Sequence, residues 1–342
     1  IFLSLNIFFL STVESEGKSF DINNIDISRP FEINFDKSKV LDEGFKKAFS
    51  ELILLIVNTD DQDKINRTKL HEIKGMIDTF SIKEEEFINE IYFVNLGVSF
   101  NKKKVFNFLE KKNIFPSIPL NKKILFIPII IDEKKKDLLI FSDNKIFDEW
   151  NSETSSHHLL DYILPTEDLE DLNLIKKKFG FIEKYDFKEI TTKYNLKDSI
   201  IALLFKNDDE VRILSRISIN QETILKNLSF SEIDMNKAEH TKKIIENLKI
   251  VYEDHWKNFN QINTSIKLSL KIKIKNEDNL KISNFEKVLN LTDLIYDFFI
   301  IKFDHDFVYY QVIFNGTPNN FLKTMNKNNL SFDTQNKIWV LK

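Results

Sequence analysis

The most regular hydrophobic pattern in the chain runs from Ile266 to Lys275, where Ile266, Leu268, Leu270, Ile272 and Ile274 alternate with Lys267, Ser269, Lys271, Lys273 and Lys275. A period of two is what a half-exposed strand requires. Ser283 then stands where it can cap a helix carrying Phe285, Val288 and Leu289. Leu294 to Phe303 and Phe307 to Phe314 read as strands joined by the tight turn Asp304-His305-Asp306. Thr317 as N-cap, with Pro318 at the first helical position, opens a second helix, and Ile338 to Leu341 supplies a last strand. The order β-α-β-β-α-β predicts a ferredoxin-like unit over residues 264–342.

Upstream the pattern is less uniform. Arg29 to Phe35 reads as an opening strand, and Val40, Phe45, Ala48, Phe49, Leu52, Leu55 and Ile56 recur mostly at helical steps, predicting a strongly apolar, buried helix. Ser81 and Glu84 have the spacing of a capping box and predict a short helix over 85–89. Ile91 to Phe100 has strand composition, with Gly97 marking a bulge or tight contact, and Asn101 is placed to cap a helix through Val105 and Leu109. These elements make an N-terminal α+β unit over 16–118.

Pro116 and Pro119 then forbid regular structure and mark a connector. The wholly apolar run Ile124 to Ile131 predicts a strand buried on both faces, with Pro128 arguing for an edge or a bulge. Helices near 145–151, 168–178 and 187–194, and strands near 159–164, 199–205 and 211–219, fill a central α/β sheet unit over 119–260. A long helix with Met235, Ala238, Ile245, Leu248, Tyr252 and Trp256 on one face closes it. The fold class is therefore a multi-unit α+β / α/β chain with a ferredoxin-like βαββαβ end.

The first fifteen residues change the setting. Ile1 to Leu10 is apolar apart from Ser4 and Asn6, and Val13 and Ser15 lie three and one positions before a cut at Ser15, close to what a signal peptidase reads. The absence of a starting Met predicts that the charged n-region is missing from this 1–15 signal peptide. About 20 apolar residues are needed to span a bilayer. The expected location is the periplasm, with an uncleaved signal tethering the protein to the inner membrane as the alternative.

Composition narrows the chemistry. The 342 residues are 42% hydrophobic and 30% charged, an ordinary globular balance, and the net charge of -4 argues against nucleic acid as a partner. Lys102 to Lys104, Lys134 to Lys136 and Lys176 to Lys178 read as solvated faces in a chain whose Lys, Asn, Ile and Phe usage follows A/T-rich codons. With Cys at 0, disulfides, thiol nucleophiles, cysteine-ligated zinc and lipid attachment at a cysteine are excluded.

Between the first two units, Phe100-Asn101, Val105, Leu109, Asn113 to Phe115, the paired prolines and Ile124 to Ile127 are followed by Leu164-Pro165 and Asp168-Leu169-Glu170-Asp171. This arrangement resembles the bacterial family called domain of unknown function 2066, collinearly over roughly Val40 to Ile219. Its most specific piece is L-P-x-x-D-L-E-D, which marks Leu164, Pro165, Asp168, Glu170 and Asp171 as candidate residues, and Lys193-Tyr194 resembles the short aromatic segment of that family. Asn58-Thr59 stands where a glycine is expected, and Phe115 where a tryptophan is. The resemblance implies an exported or envelope-associated protein, with no catalytic residues to carry across.

The sequence carries few arrangements of catalytic residue types. Asp168 and Asp171 lie on one helical turn and point the same way, unlike carboxylates facing each other across a glycosidic bond. At a helix N-terminus, Asp168, Glu170 and Asp171 have a sufficient role as caps. His157 and His158 are adjacent and are expected to diverge, and Asp304-His305-Asp306 reads as a polar turn. No nucleotide-binding or nucleophile-elbow motif occurs, so no cofactor and no metal is expected. Two readings follow. The first is a non-catalytic envelope protein acting by protein–protein interaction or assembly support, with unknown partner and oligomeric state, which could accept a partner's strand beside Ile338 to Leu341. The second is an envelope hydrolase or metal-dependent enzyme using the turn from Asp168 to Asp171, at the carboxyl end of a strand where open α/β sheets place ligands.

Overall fold

The computed structural model describes residues 19–152 and 157–342, so the predicted signal over 1–15 lies outside the described residues. The chain has the multi-unit α+β character that its patterning predicts, with three separate sheets. Packing divides it into two compact units, one of residues 19–53, Asp63–Pro116 and Gln261–Lys342, the other of Leu54–Gln62 and Ser117–Asn260.

The first unit begins with β1 (Ser19–Pro30), followed by α1 (Lys37–Ile56). The short α2 (Thr59–Gln62) counts with the second unit. Next come α3 (Leu70–Met76), β2 (Ile77–Ile88), β3 (Ile91–Asn101) and α4 (Lys102–Lys111). The strands form one antiparallel sheet in the order β1-β3-β2. Two expectations are corrected here. The opening strand ends at Pro30 instead of beginning at Arg29, because residues 19–30 pair with β3. Ser81 and Glu84 lie inside β2, since pairing of 77–88 with β3 overrides a local capping pattern. Asn89 and Glu90 both have positive φ (51° and 60°), the backbone of a two-residue hairpin turn. α4 is capped as expected, the Asn101 side chain accepting from the Lys104 N–H at 2.9 Å.

The second unit is built on a mixed sheet. Its elements are β4 (Lys122–Asp132), β5 (Asp137–Leu139), α5 (Lys145–Glu149), β6 (Leu160–Ile163), α6 (Leu169–Lys177), α7 (Lys188–Thr191), β7 (Ser199–Asn207), β8 (Glu210–Ile219), β9 (Glu222–Phe230) and α8 (Ala238–Phe259). The strand order is β5-β4-β7-β8-β9, with β6 also paired to β4. β4 runs parallel to β6 and β7. Its alternate residues enter two cores: Ile124, Phe126 and Ile130 pack with Trp150, Leu248 and Tyr252, while Leu125, Ile127, Ile129 and Ile131 pack with Ile175, Phe187 and Ile190. Pro128 is accommodated because β6 covers only Lys122–Leu125 and β5 only Ile130–Asp132, so on that side no strand calls for its missing N–H. Its carbonyl accepts from Asn144 Nδ2 at 3.0 Å. Met235 precedes α8 but is buried in the same core.

α8 holds this unit through polar side chains as well as apolar ones. Buried Glu253 accepts from the Leu159 and Leu160 N–H groups, each at 3.0 Å. Trp256 Nε1 donates to the Leu120 carbonyl at 2.6 Å, and Lys257 donates to the Val57 carbonyl at 3.2 Å. Asp254 accepts from the Thr59 N–H at 3.1 Å, and the Tyr252 hydroxyl lies 2.7 Å from Ser215 Oγ.

The C-terminal part of the first unit contains β10 (Lys267–Lys275), α9 (Asn279–Leu291), β11 (Ile295–Phe303), β12 (Phe307–Asn315), α10 (Pro318–Lys327), β13 (Phe332–Asp333) and β14 (Ile338–Leu341). α9 is capped by Asp278, whose side chain accepts from the Lys281 N–H at 3.0 Å, and begins four residues before the expected Ser283. Thr317 caps α10 as expected, with Pro318 in its first turn. The sheet order β11-β12-β10-β14-β13 keeps the ferredoxin-like neighbours, but β14 runs parallel to β10. The reason is β13, which pairs antiparallel with β14 and reverses the chain once more. Ile338–Leu341 is therefore an interior strand paired on both sides, which removes it as the edge for a partner's strand.

Glu253→Leu is expected to leave two buried N–H groups without an acceptor and to lower the unfolding free energy of the second unit by about 2–5 kcal/mol. Urea unfolding followed through Trp150 and Trp256 checks this.

Candidate functional site

The acidic turn from Asp168 to Asp171 follows β6. β6 delivers the chain to Leu164, which packs against the core, and to buried Pro165. Asp168 is the N-cap of α6, its Oδ1 accepting from the Glu170 N–H at 2.7 Å. Lys193 Nζ bridges Asp168 Oδ2 at 3.1 Å and Asp171 Oδ1 at 2.6 Å. The Thr166 N–H donates to the Tyr194 hydroxyl at 2.9 Å. Structure thus joins two segments that the sequence marked separately, and it leaves Glu170 in solvent. Asp171 is buried, with Oδ2 lacking a hydrogen-bond partner.

This geometry is that of a clamped helix start. The Glu170 N–H, then Lys193, hold the Asp168 carboxyl below its ordinary value, while Asp171 and Asp168 raise the Lys193 ammonium above the usual lysine range. A depressed carboxyl adds stability that is complete above its unfolded value of 3.8 and lost as pH falls through the lower folded value. A raised lysine adds stability that is complete below its unfolded value of 10.5 and lost as pH rises through the higher folded value. Lys193→Met is therefore expected to lower the melting temperature by an amount that is constant near neutrality and shrinks below pH 3.8 and above pH 10.5, as a pH series of thermal melts would show.

The histidines behave differently from expectation. His157 and His158 lie in a loop, where their rings meet edge to face with centroids 4.8 Å apart instead of diverging. Both line a cavity of about 520 Å³ together with Glu149, Lys242, Ile245 and Lys249. Burial, and then the neighbouring His157, push His158 down to about 4 from 6.5. The folded state refuses a proton that the unfolded state accepts, so stability falls as pH drops from 6.5 toward 4. His158→Gln is expected to flatten that slope, and the His158 ring resonance should titrate with a midpoint near 4.

Among the described residues, no group of three or more His, Cys, Asp or Glu could hold a metal ion. The Asp304-His305-Asp306 turn is closed by Asp304 Oδ1, which accepts from the Asp306 N–H at 3.1 Å and the Phe307 N–H at 2.9 Å. His305 projects into solvent with its side chain 99% exposed.

What sequence reasoning missed is an apolar corner at the β2–β3 turn. Ile88 and Ile91 face each other across the turn, and Phe93 lies on the same face two residues along. Phe87 points to the opposite face, where its ring meets Phe31 at 4.7 Å. The Phe31 N–H donates to the Glu90 carbonyl at 2.7 Å, fixing the segment after β1 beside the turn. Phe31 and Phe87 are 50% and 56% exposed, and Ile33 is entirely so. Exposed acids surround the corner: Glu32, Glu84, Glu86 and Glu90. Of the bases nearby, Arg29 pairs with Glu43 at 2.5 Å and Lys37 with Glu85 at 2.7 Å. A helix over 85–89 hides this corner, since only the hairpin sets Ile88 opposite Ile91 on one face and Phe87 against Phe31 on the other.

No family model matches the chain, and no curated protein matches it. Among solved structures, a chain described as "Crystal structure of uncharacterized protein" aligns with a TM-score of 0.16 and 6% identity, over 42% of this chain and 95% of that one. This overlap is too slight to indicate a shared fold.

Proposed function

We propose that this is an exported, non-catalytic protein of the bacterial cell envelope that acts by binding another protein, in keeping with its resemblance to the domain of unknown function 2066 family. The observation that supports this reading is the apolar corner formed by Phe31, Ile33, Phe87, Ile88, Ile91 and Phe93. Exposed apolar side chains on both faces of one turn, among exposed acids, are of the kind found at interaction sites. The acidic rim favours a protein with an apolar anchor and basic flanks over an anionic lipid surface, which the rim would repel. The apolar leader over 1–10 supports export to the periplasm, with an uncleaved signal as the route to an inner-membrane tether. No helix among the described residues is long and apolar enough to cross a membrane.

The hydrolase reading draws no support from the acidic turn. Asp168 and Asp171 are occupied by Lys193, and the neighbouring aromatic group is the Tyr194 hydroxyl instead of a histidine.

Photo-cross-linking in cells, with a reactive side chain placed at Phe87 or Ile88 and, as control, at exposed Leu280, is expected to give a defined protein adduct only at the first two positions. The adduct should disappear in Phe31→Glu and weaken as salt is raised. Equal labelling at Leu280, or none at Phe87 and Ile88, would remove this surface as the binding site.

A further inference from the structure

Each sheet of the first unit buries one face and leaves the other open. In the first sheet Ile25, Ile27, Val94 and Leu96 are buried, and the register places Asp26, Ser28, Glu84, Glu86, Phe93 and Asn95 on the opposite face. These six help to line a cavity of about 310 Å³. Ile88 and Ile91 continue that face to the turn. In the C-terminal sheet Leu270, Ile272 and Ile274 pack with Phe285, Phe321 and Met325 of the helices, which turns Lys271, Lys273 and Lys275 of β10 to the other face. Tyr309 and Phe307 of β12 lie opposite Lys273 and Lys275, and the Lys273 ammonium stands 4.3 Å from the Phe307 ring centroid. Phe299 of β11, 49% exposed, extends the same face beyond Gln311.

One open face is therefore acidic with an apolar end, and the other is basic with aromatic side chains beside its lysines. Lys267 is paired with Glu110 and Lys302 with Asp304, whereas among the described residues no ion pair engages Lys271 or Lys275, nor Asp26, Glu84 or Glu86. Either face would repel a copy of itself and attract the other, since like charges brought together across an interface cost free energy. Their strands make both faces roughly 30 Å long, and sheets pack face to face with side chains interdigitating. We propose that the open face of β1-β3-β2 receives the open face of β10, β11 and β12 from a second copy of this chain. Lys271 and Lys275 meet Asp26, Glu84 and Glu86, while Ile88, Ile91 and Phe93 lie against Phe299, Phe307 and Tyr309. The two patches differ, so the contact is head-to-tail, and each copy added keeps one face of each sign to extend the assembly. This inference rests on the protein-binding reading of the apolar corner and names its partner.

The test is sedimentation velocity of the full chain over a concentration series at low and high salt, beside two charge reversals at exposed positions, Lys271→Glu with Lys275→Glu and, separately, Glu84→Lys with Glu86→Lys. The unaltered chain is expected to grow past a dimer as concentration rises and to dissociate in high salt. Each double variant alone should self-associate about tenfold or more weakly with its melting temperature unchanged, and an equal mixture of the two should associate again, because each supplies the face the other has lost. A chain that stays monomeric, association indifferent to both reversals, or a mixture that stays apart would overturn the assignment, as would binding of the monomer to phosphatidylglycerol vesicles through Lys271 and Lys275 without self-association. Cross-linking from Ile88 in cells separates this inference from the reading beneath it. An adduct of twice the chain's mass supports a second copy, an adduct with a different protein overturns the second copy and leaves the protein-binding reading standing, and no adduct removes both.

Discussion

The second unit depends on a single buried carboxylate. Glu253 is 4% exposed and accepts from two consecutive backbone N–H groups at the start of β6. Burial raises its pKa, the two N–H groups and Lys257 opposing that effect. A polar group inside a protein costs free energy unless it is satisfied, and the same holds for the N–H groups it serves. Around it, one stretch of α8 sends Tyr252, Asp254, Trp256 and Lys257 to Ser215, Thr59, Leu120 and Val57. Apolar contacts alone would let a helix slide or rotate on a sheet. Directional bonds to fixed backbone groups permit only one register, so this helix face sets where β6 begins and where the acidic turn emerges.

In the first unit the constraint is strand pairing. β3 takes neighbours on both sides over nearly its whole length, and the turn between β2 and β3 carries apolar side chains on both faces. Gly44 in α1 sits where a Cβ would collide with Leu96 of β3, so the helix lies close against the sheet. The Phe45 ring meets Phe80 at 5.1 Å, while Ile88, Ile91 and Phe93 face the other way. The exposed corner therefore follows from how the hairpin is built.

Legibility in the sequence tracked how local the determinant was. β4, β10, α4 and the Thr317-Pro318 start of α10 each carry their signal within a few residues, as composition, alternation or a cap. β9 gives no such signal: its partly buried residues are Ile224, Leu228 and Phe230, and its turn uses Asn220 and Gln221 at positive φ without a glycine. The S-x-x-E spacing at Ser81 misled because strand pairing with residues 91–100 outweighs one local motif. At the acidic turn the caps were readable and the Lys193 clamp was not, since it spans 22 residues to Asp171. The Lys102–Asp293 pair, 191 residues apart, lies beyond any local pattern.

The placement of β14 beside β10 governs the order of events as the chain is made. β10 cannot acquire its second neighbour until residues 338–341 have emerged, and the first unit is interrupted in sequence by Ser117–Asn260. The second unit, by contrast, has all its segments once residue 260 is available. It can close while the first still has an unfinished sheet with β10 bare on one side, and contacts across long sequence separations form slowly. The chain passes through that half-built state as it is made, with the strand of alternating Leu, Ile and Lys left open along one edge until the last residues arrive.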